Sequence, residues 1–331
     1  MAESKKRPSV FKQIWGVWRG FRLLLRGILA LGGGWVAFSK LFVPHNLTLP
    51  PALGGERKTL ATGGLELSYY VIGTGQPLVL LHSVNAAASA YEMKPLYEYF
   101  AETRQVFALD LPGFGFSARH NLVYTPEVFR DALLAFLRDA VGKPADVVAF
   151  SLSSEFAALA AEQSPEWFKS LSLISPTGFG RSSGENNTAD DRFFNIITSP
   201  LWSQALYDLL VTRPSLRWFL NREFAARPAD EGLVEYAYLT SHQAGARFAP
   251  LYFVSGKLFS AEIASCYEAL KMPVLVLYGK SAFTRFSRVG EFAELPNWFA
   301  RRLSAVRGLL HWEQTEATVD ILAEFLTEYR T

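Results

Sequence analysis

Asp146-Val147-Val148-Ala149-Phe150-Ser151-Leu152-Ser153-Ser154-Glu155-Phe156 reads as a buried strand that turns sharply into a helix at a serine. The apolar, β-branched run before Ser151 has the composition of a strand covered on both faces. The alanine-rich run Phe156-Ala157-Ala158-Leu159-Ala160-Ala161 behind it favours a helix. A strand–Ser–helix turn of this kind is a nucleophile elbow. Its backbone is strained and tightly packed, so the flanking residues must be small. The helix N-terminus aims free N–H groups and partial positive charge at negative charge developing beside the serine. Here the flanks are Ala149 and Ser153 rather than two glycines. The plainer reading of the same string is a serine capping an ordinary helix.

The surroundings favour the elbow. Pro77-Leu78-Val79-Leu80-Leu81-His82-Ser83 is an apolar strand ending in a polar turn. Gln105–Asp110 is another strand and runs into Leu111-Pro112-Gly113-Phe114-Gly115-Phe116-Ser117. Before these, Arg57–Ala61 and Leu65–Ile72 are set off by glycine pairs, as in two antiparallel strands. Helices are expected over Ala90–Thr103 and Pro126–Val141, and strands over Ser170–Ile174 and within Lys271–Gly279. His311 follows near the C-terminus, ahead of a helix from about Ala317 to Tyr329. Alternating strands and helices predict an α/β fold with a largely parallel sheet. In this order the chain resembles the α/β-hydrolase superfamily over about residues 57–330.

The resemblance implies an α/β-hydrolase fold, a mostly parallel central sheet flanked by helices, with a helical cap inserted after the sixth strand. The expected division is an N-terminal membrane-associating segment (1–45), a core (46–177 and 266–331) and the cap (178–265). Within the cap, Gly178–Asn187 reads as a polar link and Phe193–Ile197, Leu201–Leu210, Leu216–Phe224 and Glu231–Leu239 as helices. Caps cover an apolar pocket and select the substrate. By the same resemblance Ser151 is the nucleophile and His311, after the eighth strand, its base. The backbone N–H groups of Leu152 and Val84, with Ser83 as the alternative, hold the oxyanion. Asn85 and His242 are candidate substrate contacts, with cap packing an equal reading for His242. His82 and Asp110 match structural positions of the superfamily.

The chain departs from the pattern at the third member of the triad. The acid normally stands in a Gly-x-x-Asp turn after the seventh strand. Here that turn reads Gly279-Lys280-Ser281-Ala282, with Ala282 in the acid's position. The stretch after the sixth strand, Ile174-Ser175-Pro176-Thr177-Gly178, has no acid either. Loss of the acid costs about 10⁴ in rate in a well-studied triad. A Ser151–His311 dyad is therefore the expected machinery, with water, a carbonyl or Ser281 orienting the imidazole. The reaction implied is hydrolysis of an ester, thioester or amide with an apolar part. The alternatives are a non-hydrolytic protein binding a lipid or pigment under the cap, and a lyase or haloperoxidase-type enzyme on the same scaffold.

Composition bounds these readings. Of 331 residues, 50% are apolar, enough for one large core. A net charge of +2 gives no reason to expect a nucleic-acid partner. No His, Cys or carboxylate spacing suggests a metal, and Gly113-x-Gly115 is too short for a nucleotide fingerprint, so no cofactor is expected. Cys266, the single cysteine, reads as a packing residue. The charge is uneven: seven basic residues against one acid give residues 1–26 a net +6, which leaves −4 for the remainder of a +2 chain. On a helical wheel Lys12, Arg19, Arg22 and Arg26 oppose Val10, Ile14, Trp18, Phe21 and Leu25. That is a basic amphipathic helix suited to a membrane interface. The uncharged stretch Gly27–Ser39 that follows is short for a span and contains Gly32-Gly33-Gly34. The plainer reading is a helix packed on the domain; a surface anchor, a span and a signal peptide also remain open, as does the side of the membrane. The expected partners are an apolar small molecule and a membrane surface.

Overall fold

The computed structural model describes residues 30–180 and 191–328. At its centre is an eight-stranded sheet in the order β1-β2-β4-β3-β5-β6-β7-β8. The strands are β1 (Glu56–Thr62), β2 (Leu65–Ile72), β3 (Pro77–Leu81), β4 (Gln105–Leu109), β5 (Ala145–Phe150), β6 (Phe168–Ile174), β7 (Val274–Tyr278) and β8 (Trp298–Arg302). β1–β2 and β2–β4 pair antiparallel, and the remaining pairs are parallel. β3 and β5 are buried along their whole length, which is why their sequences are unbroken apolar runs rather than alternating ones.

Alternate residues of each strand feed two cores. Val79, Leu81, Val147 and Ala149 face one side, where α3 (Pro126–Phe136), α4 (Ser153–Gln163) and α10 (Ile263–Ala269) cover them. Leu78, Leu80, Val148 and Phe150 face the other, under α2 (Lys94–Phe100) and α13 (Thr315–Glu328). Each fully buried Leu or Val contributes about 1.5–3 kcal/mol. The base of β5 is fixed by a buried ion pair between Arg104 Nη1 and Asp146 Oδ2 (2.5 Å), and Arg104 Nη2 also donates to Leu326 O of α13 (3.0 Å).

The chain leaves the sheet between β6 and β7 to form an insert of α5 (Asp191–Ile197), α6 (Ser203–Leu210), α7 (Arg213–Arg222), α8 (Glu231–Ser241) and α9 (Phe248–Val254). α9 was not expected from the sequence. The short helices α11 (Val289–Phe292) and α12 (Leu310–Glu313) flank β8. The helix expected over 90–103 is a 3-10 turn, Ala90–Met93, followed by α2. Pro95 lacks an N–H and is tolerated only in a helix's first turn, so α2 has to begin there. The helix expected over 126–141 ends in a π turn, Leu137–Val141, stopped by left-handed Gly142.

The basic amphipathic segment and most of the Gly178–Asn187 link lie outside the described residues. Residues 30–42 form a helix, α1. Among the described residues no helix is long and apolar enough to cross a membrane. α1 lies on the insert: Trp35 Nε1 donates to Ala205 O (2.7 Å) and Ser39 Oγ to the buried Asp208 carboxylate (2.6 Å). The linker behind it continues over α8, where Leu47 N donates to His242 O and Tyr236 OH to Pro50 O.

Candidate active site

Ser151 sits at the C-terminal end of β5, the central strand, with φ 59°. Left-handed backbone at a non-glycine residue costs of order 1–3 kcal/mol and persists only where its surroundings hold it. Ser151 N donates to Ile174 O of β6 (2.9 Å). Ser153 Oγ turns back to Phe150 O (2.9 Å) and accepts from Phe150 N (3.1 Å), while Ser154 Oγ reaches Ala149 O. These bonds close the turn. The fully buried Ala149 and Ser153 leave no room for larger flanks. The Ser151 hydroxyl faces a cavity of about 450 Å³ and has no hydrogen-bond partner among the described residues.

The loop after β3 forms a second wall. His82 Nε2 accepts from Leu111 N (2.9 Å), so its Nδ1 carries the proton and donates to Ser83 O. Burial pushes this imidazole down to about 4, and it remains neutral and structural. Ser83 N donates to Glu92 Oε2 (2.8 Å), which removes it as an oxyanion donor. The amides of Val84 and Leu152 meet no protein acceptor among the described residues. Asn85 lines the cavity, but both ends of its amide are engaged: Nδ2 donates to Ser83 Oγ and Glu92 Oε1 (both 2.8 Å), and Oδ1 accepts from Ala87 N. It shapes the loop rather than offering a free contact to substrate. Burial raises the Glu92 carboxyl above its ordinary range. The sequence gives one faint signal for Glu92, an acid inside the otherwise apolar 3-10 turn.

His311 is not where the dyad requires it. It is fully buried in α12 and does not line the cavity. Its ring packs edge-on against Phe150 at 4.9 Å between centroids. Nε2 lies 2.8 Å from Glu92 O and must carry the proton, because a carbonyl only accepts; Trp312 Nε1 donates to the same oxygen (2.6 Å). Nδ1 is buried and unpartnered among the described residues. Burial lowers the imidazole to about 4. No hydrogen bond joins it to Ser151. The physical reason is local: the loop after β8 reaches the cavity through Gly308 and Leu309, and the chain has turned away into α12 before His311.

A carboxylate that the sequence reading did not single out stands at Gly308. Glu223, at the C-terminal end of α7, lines the same cavity as Ser151. Its carboxylate accepts from Ser281 Oγ (3.1 and 3.3 Å) and Ala282 N (3.0 Å). Burial raises its carboxyl, an effect opposed by the Ala282 amide and by Arg307 among others. Ser281 is thus bound to Glu223 and not to His311. Nothing in Asn221-Arg222-Glu223-Phe224 marks this acid as special, because its meaning depends on how the insert folds back on the sheet.

The remaining buried acids and histidine are committed elsewhere. Asp110 accepts from Ala90 N and Phe116 N (both 2.9 Å), and burial raises it to about 6. Glu155 accepts from Thr177 Oγ1 and from Ser260 N (2.8 Å), and burial raises it to about 7. His242 is buried in the insert and lies off the cavity; its Nδ1 is 2.7 Å from Tyr238 O and its ring lies 4.0 Å from that of Tyr238. It packs the insert, and the substrate-contact reading does not hold. Cys266 is buried beside α4. The rest of the cavity wall is mostly apolar, with Leu216, Leu233 and Ala237 from the insert and exposed Phe219 and Phe283 at its edge.

The comparisons with known proteins fit this geometry. A family model described as "Alpha/beta hydrolase family" matches residues 78–321. A 2-hydroxymuconate semialdehyde hydrolase of Pseudomonas sp. (strain CF600) is 25% identical over 292 residues, covering 84% of this chain and 95% of that protein. Among solved structures, a meta-cleavage product hydrolase from Pseudomonas fluorescens IP01 superposes with a TM-score of 0.65 at 19% identity, over 82% of this chain and 97% of its own. A bacterial membrane phospholipase A gives a TM-score of 0.66 at 18% identity, over 97% of this chain and 100% of its own. The strand order, the strained serine ending the central strand and the family match over most of the chain together establish that this protein belongs to the alpha/beta hydrolase family.

Proposed function

We propose that the protein is a serine hydrolase that cleaves an ester, thioester or amide whose apolar part lies in the cavity beneath the insert, which acts as a cap. One observation carries the reading: Ser151 is held in left-handed backbone with its hydroxyl free on an apolar cavity, beside the two unengaged amides of Leu152 and Val84. Attack by Ser151 Oγ on a carbonyl places negative charge on the substrate oxygen. Fixed N–H donors stabilise that charge without reorganising, and one such donor is worth about 3 kcal/mol. Leu216, Leu233, Ala237 and Phe219 supply apolar surface for the acyl or ring portion. The test is labelling with a fluorophosphonate probe, together with hydrolysis of p-nitrophenyl esters of increasing acyl length. Ser151→Ala is expected to abolish both. A native chain that is neither labelled nor active on any ester, yet binds an apolar fluorophore in the cavity, would favour the non-hydrolytic alternative.

We further propose that the N-terminal region docks on a lipid surface. α1 exposes Leu31, Leu41 and Phe42, and the stacked rings Trp35, Phe38 and Phe42 run along it. The +6 charge of residues 1–26 suits an anionic surface. Co-flotation with anionic vesicles should fall when Phe38 and Phe42 are both changed to Glu. Unchanged flotation of that variant would refute the docking.

A further inference from the structure

Ser151 needs a proton acceptor, and the loop after β8 brings Gly308 and Leu309 to the cavity, neither of which has a side chain that can take a proton. Gly308 lines the cavity, and its carbonyl accepts from Ser175 Oγ (2.7 Å). Ser175 directly follows Ile174, whose carbonyl holds the Ser151 amide (2.9 Å). A Cβ built on Gly308 would overlap the Glu223 carboxylate, whose atoms are its nearest neighbours. Thus the space that a side chain at 308 would fill is taken by an acid delivered from the cap. The hydroxyl of Ser281 and the amide of Ala282, in the turn where a triad acid was expected, both point at that acid. They hold it much as a triad acid holds an imidazole.

From this arrangement we infer that Glu223 is the general base and acid of the reaction, in place of His311. The inference rests on the serine-hydrolase reading above. Glu223 takes the Ser151 proton as Oγ bonds to the carbonyl carbon and the C=O π pair moves onto oxygen, facing Leu152 N and Val84 N. The pair returns, the bond to the leaving group breaks, and Glu223 gives its proton to the departing atom. Water then loses a proton to Glu223 and attacks the acyl carbon. The Ser151 ester bond breaks and Oγ recovers the proton. Desolvation of the carboxylate favours its protonated form and so makes it a stronger proton acceptor.

The plainer role for Glu223 is a latch between cap and core, but that latch exists without its carboxylate. Leu309 N donates to Glu223 O (3.3 Å), Arg307 Nη1 donates to Arg222 O (3.0 Å), and Ala225 N and Ala226 N donate to the Glu313 carboxylate (2.6–3.0 Å). Glu223→Gln keeps those bonds and the side-chain volume.

The experiment compares kcat and KM for p-nitrophenyl butyrate, and fluorophosphonate labelling, across the native chain and four variants whose folding is checked by thermal melting. Glu223→Gln is expected to lose roughly 10²-fold or more in kcat with KM little changed. His311→Gln should stay within about threefold of native, on the same reasoning that a residue off the cavity moves no proton. Glu223→Ala should be as impaired as the Gln variant, and adding Gly308→His to it should recover at least tenfold by putting an imidazole in the vacated space. A merely structural acid would not be replaced by a histidine at another position. Glu223→Gln at native activity, or loss of activity in His311→Gln alone, overturns the assignment while the hydrolase reading stands. A native chain with no labelling and no turnover overturns both.

Discussion

Single residues carry much of this molecule's specificity. Gly115, at φ +51°, packs so closely on Asp110 that any Cβ would run into its carboxylate. That carboxylate in turn holds the amides of Ala90 and Phe116, tying the oxyanion side of the site to the loop after β4. Gly115→Ala is expected to cost at least ~2 kcal/mol in chemical denaturation, through backbone strain and overpacking together. A variant within 0.5 kcal/mol of native, roughly the size of a neutral surface change, would show that the loop can move aside. Glu155 offers a second test. Burial raises its carboxyl from 4.5 to about 7. Between those values the folded chain keeps a proton that the unfolded chain has released, so its contribution to stability is present below 4.5 and is lost as pH rises toward 7. Glu155→Gln should match native stability near pH 4.5 and exceed it above pH 7, by up to about 3 kcal/mol at 1.36 kcal/mol per unit. Urea melts of both proteins across that range would check the sign.

At the scale of elements, the parallel strands and the elbow were legible because they are written locally. β3, β5 and β7 are short apolar runs bounded by turns, and Ala149 and Ser153 are small because the turn at Ser151 demands it. The proton acceptor was not legible in the same way. His311 stands in the expected loop by sequence, yet a one-turn helix carries it past the cavity to Glu92 O. Glu223 sits 72 residues after Ser151 in an unremarkable polar stretch, and gains its place only through the fold of α7 onto the loops after β7 and β8. The same distance from local rules applies to α1, which is held by the Trp35 bond to Ala205 O and by one buried acid. Asp208 accepts from Ser39 Oγ (2.6 Å) and Gln204 Nε2 (2.8 Å) and lies 3.1 Å from His45 Nε2. Asp208→Ala leaves these donors without a partner in a partly buried seam. Trypsin cleavage after the exposed Lys40 is expected to speed up severalfold on the scale of a ~1–2 kcal/mol local opening, with the core left intact. An unchanged cleavage rate would mean that Trp35 alone suffices to hold α1.

Over the whole molecule, the sheet and its two cores form a floor, and the insert lines the cavity above it. The cavity of about 450 Å³ lies within the range that encloses one small ligand. Ala237 is the small residue that α8 presents to the cavity. Ala237→Leu should shift the preferred p-nitrophenyl ester to shorter acyl chains, with the discrimination changing by about tenfold for the methylenes added to the wall. Equal losses on all chain lengths would place the acyl group elsewhere. The path of the chain into the fold has a mechanical consequence. α1 grips α6 and the following linker crosses α8 before the first strand begins. A load applied at the start of the polypeptide is therefore borne first by the roof and only afterwards by the floor. A change in how α1 is held is therefore felt by the insert before it reaches the sheet.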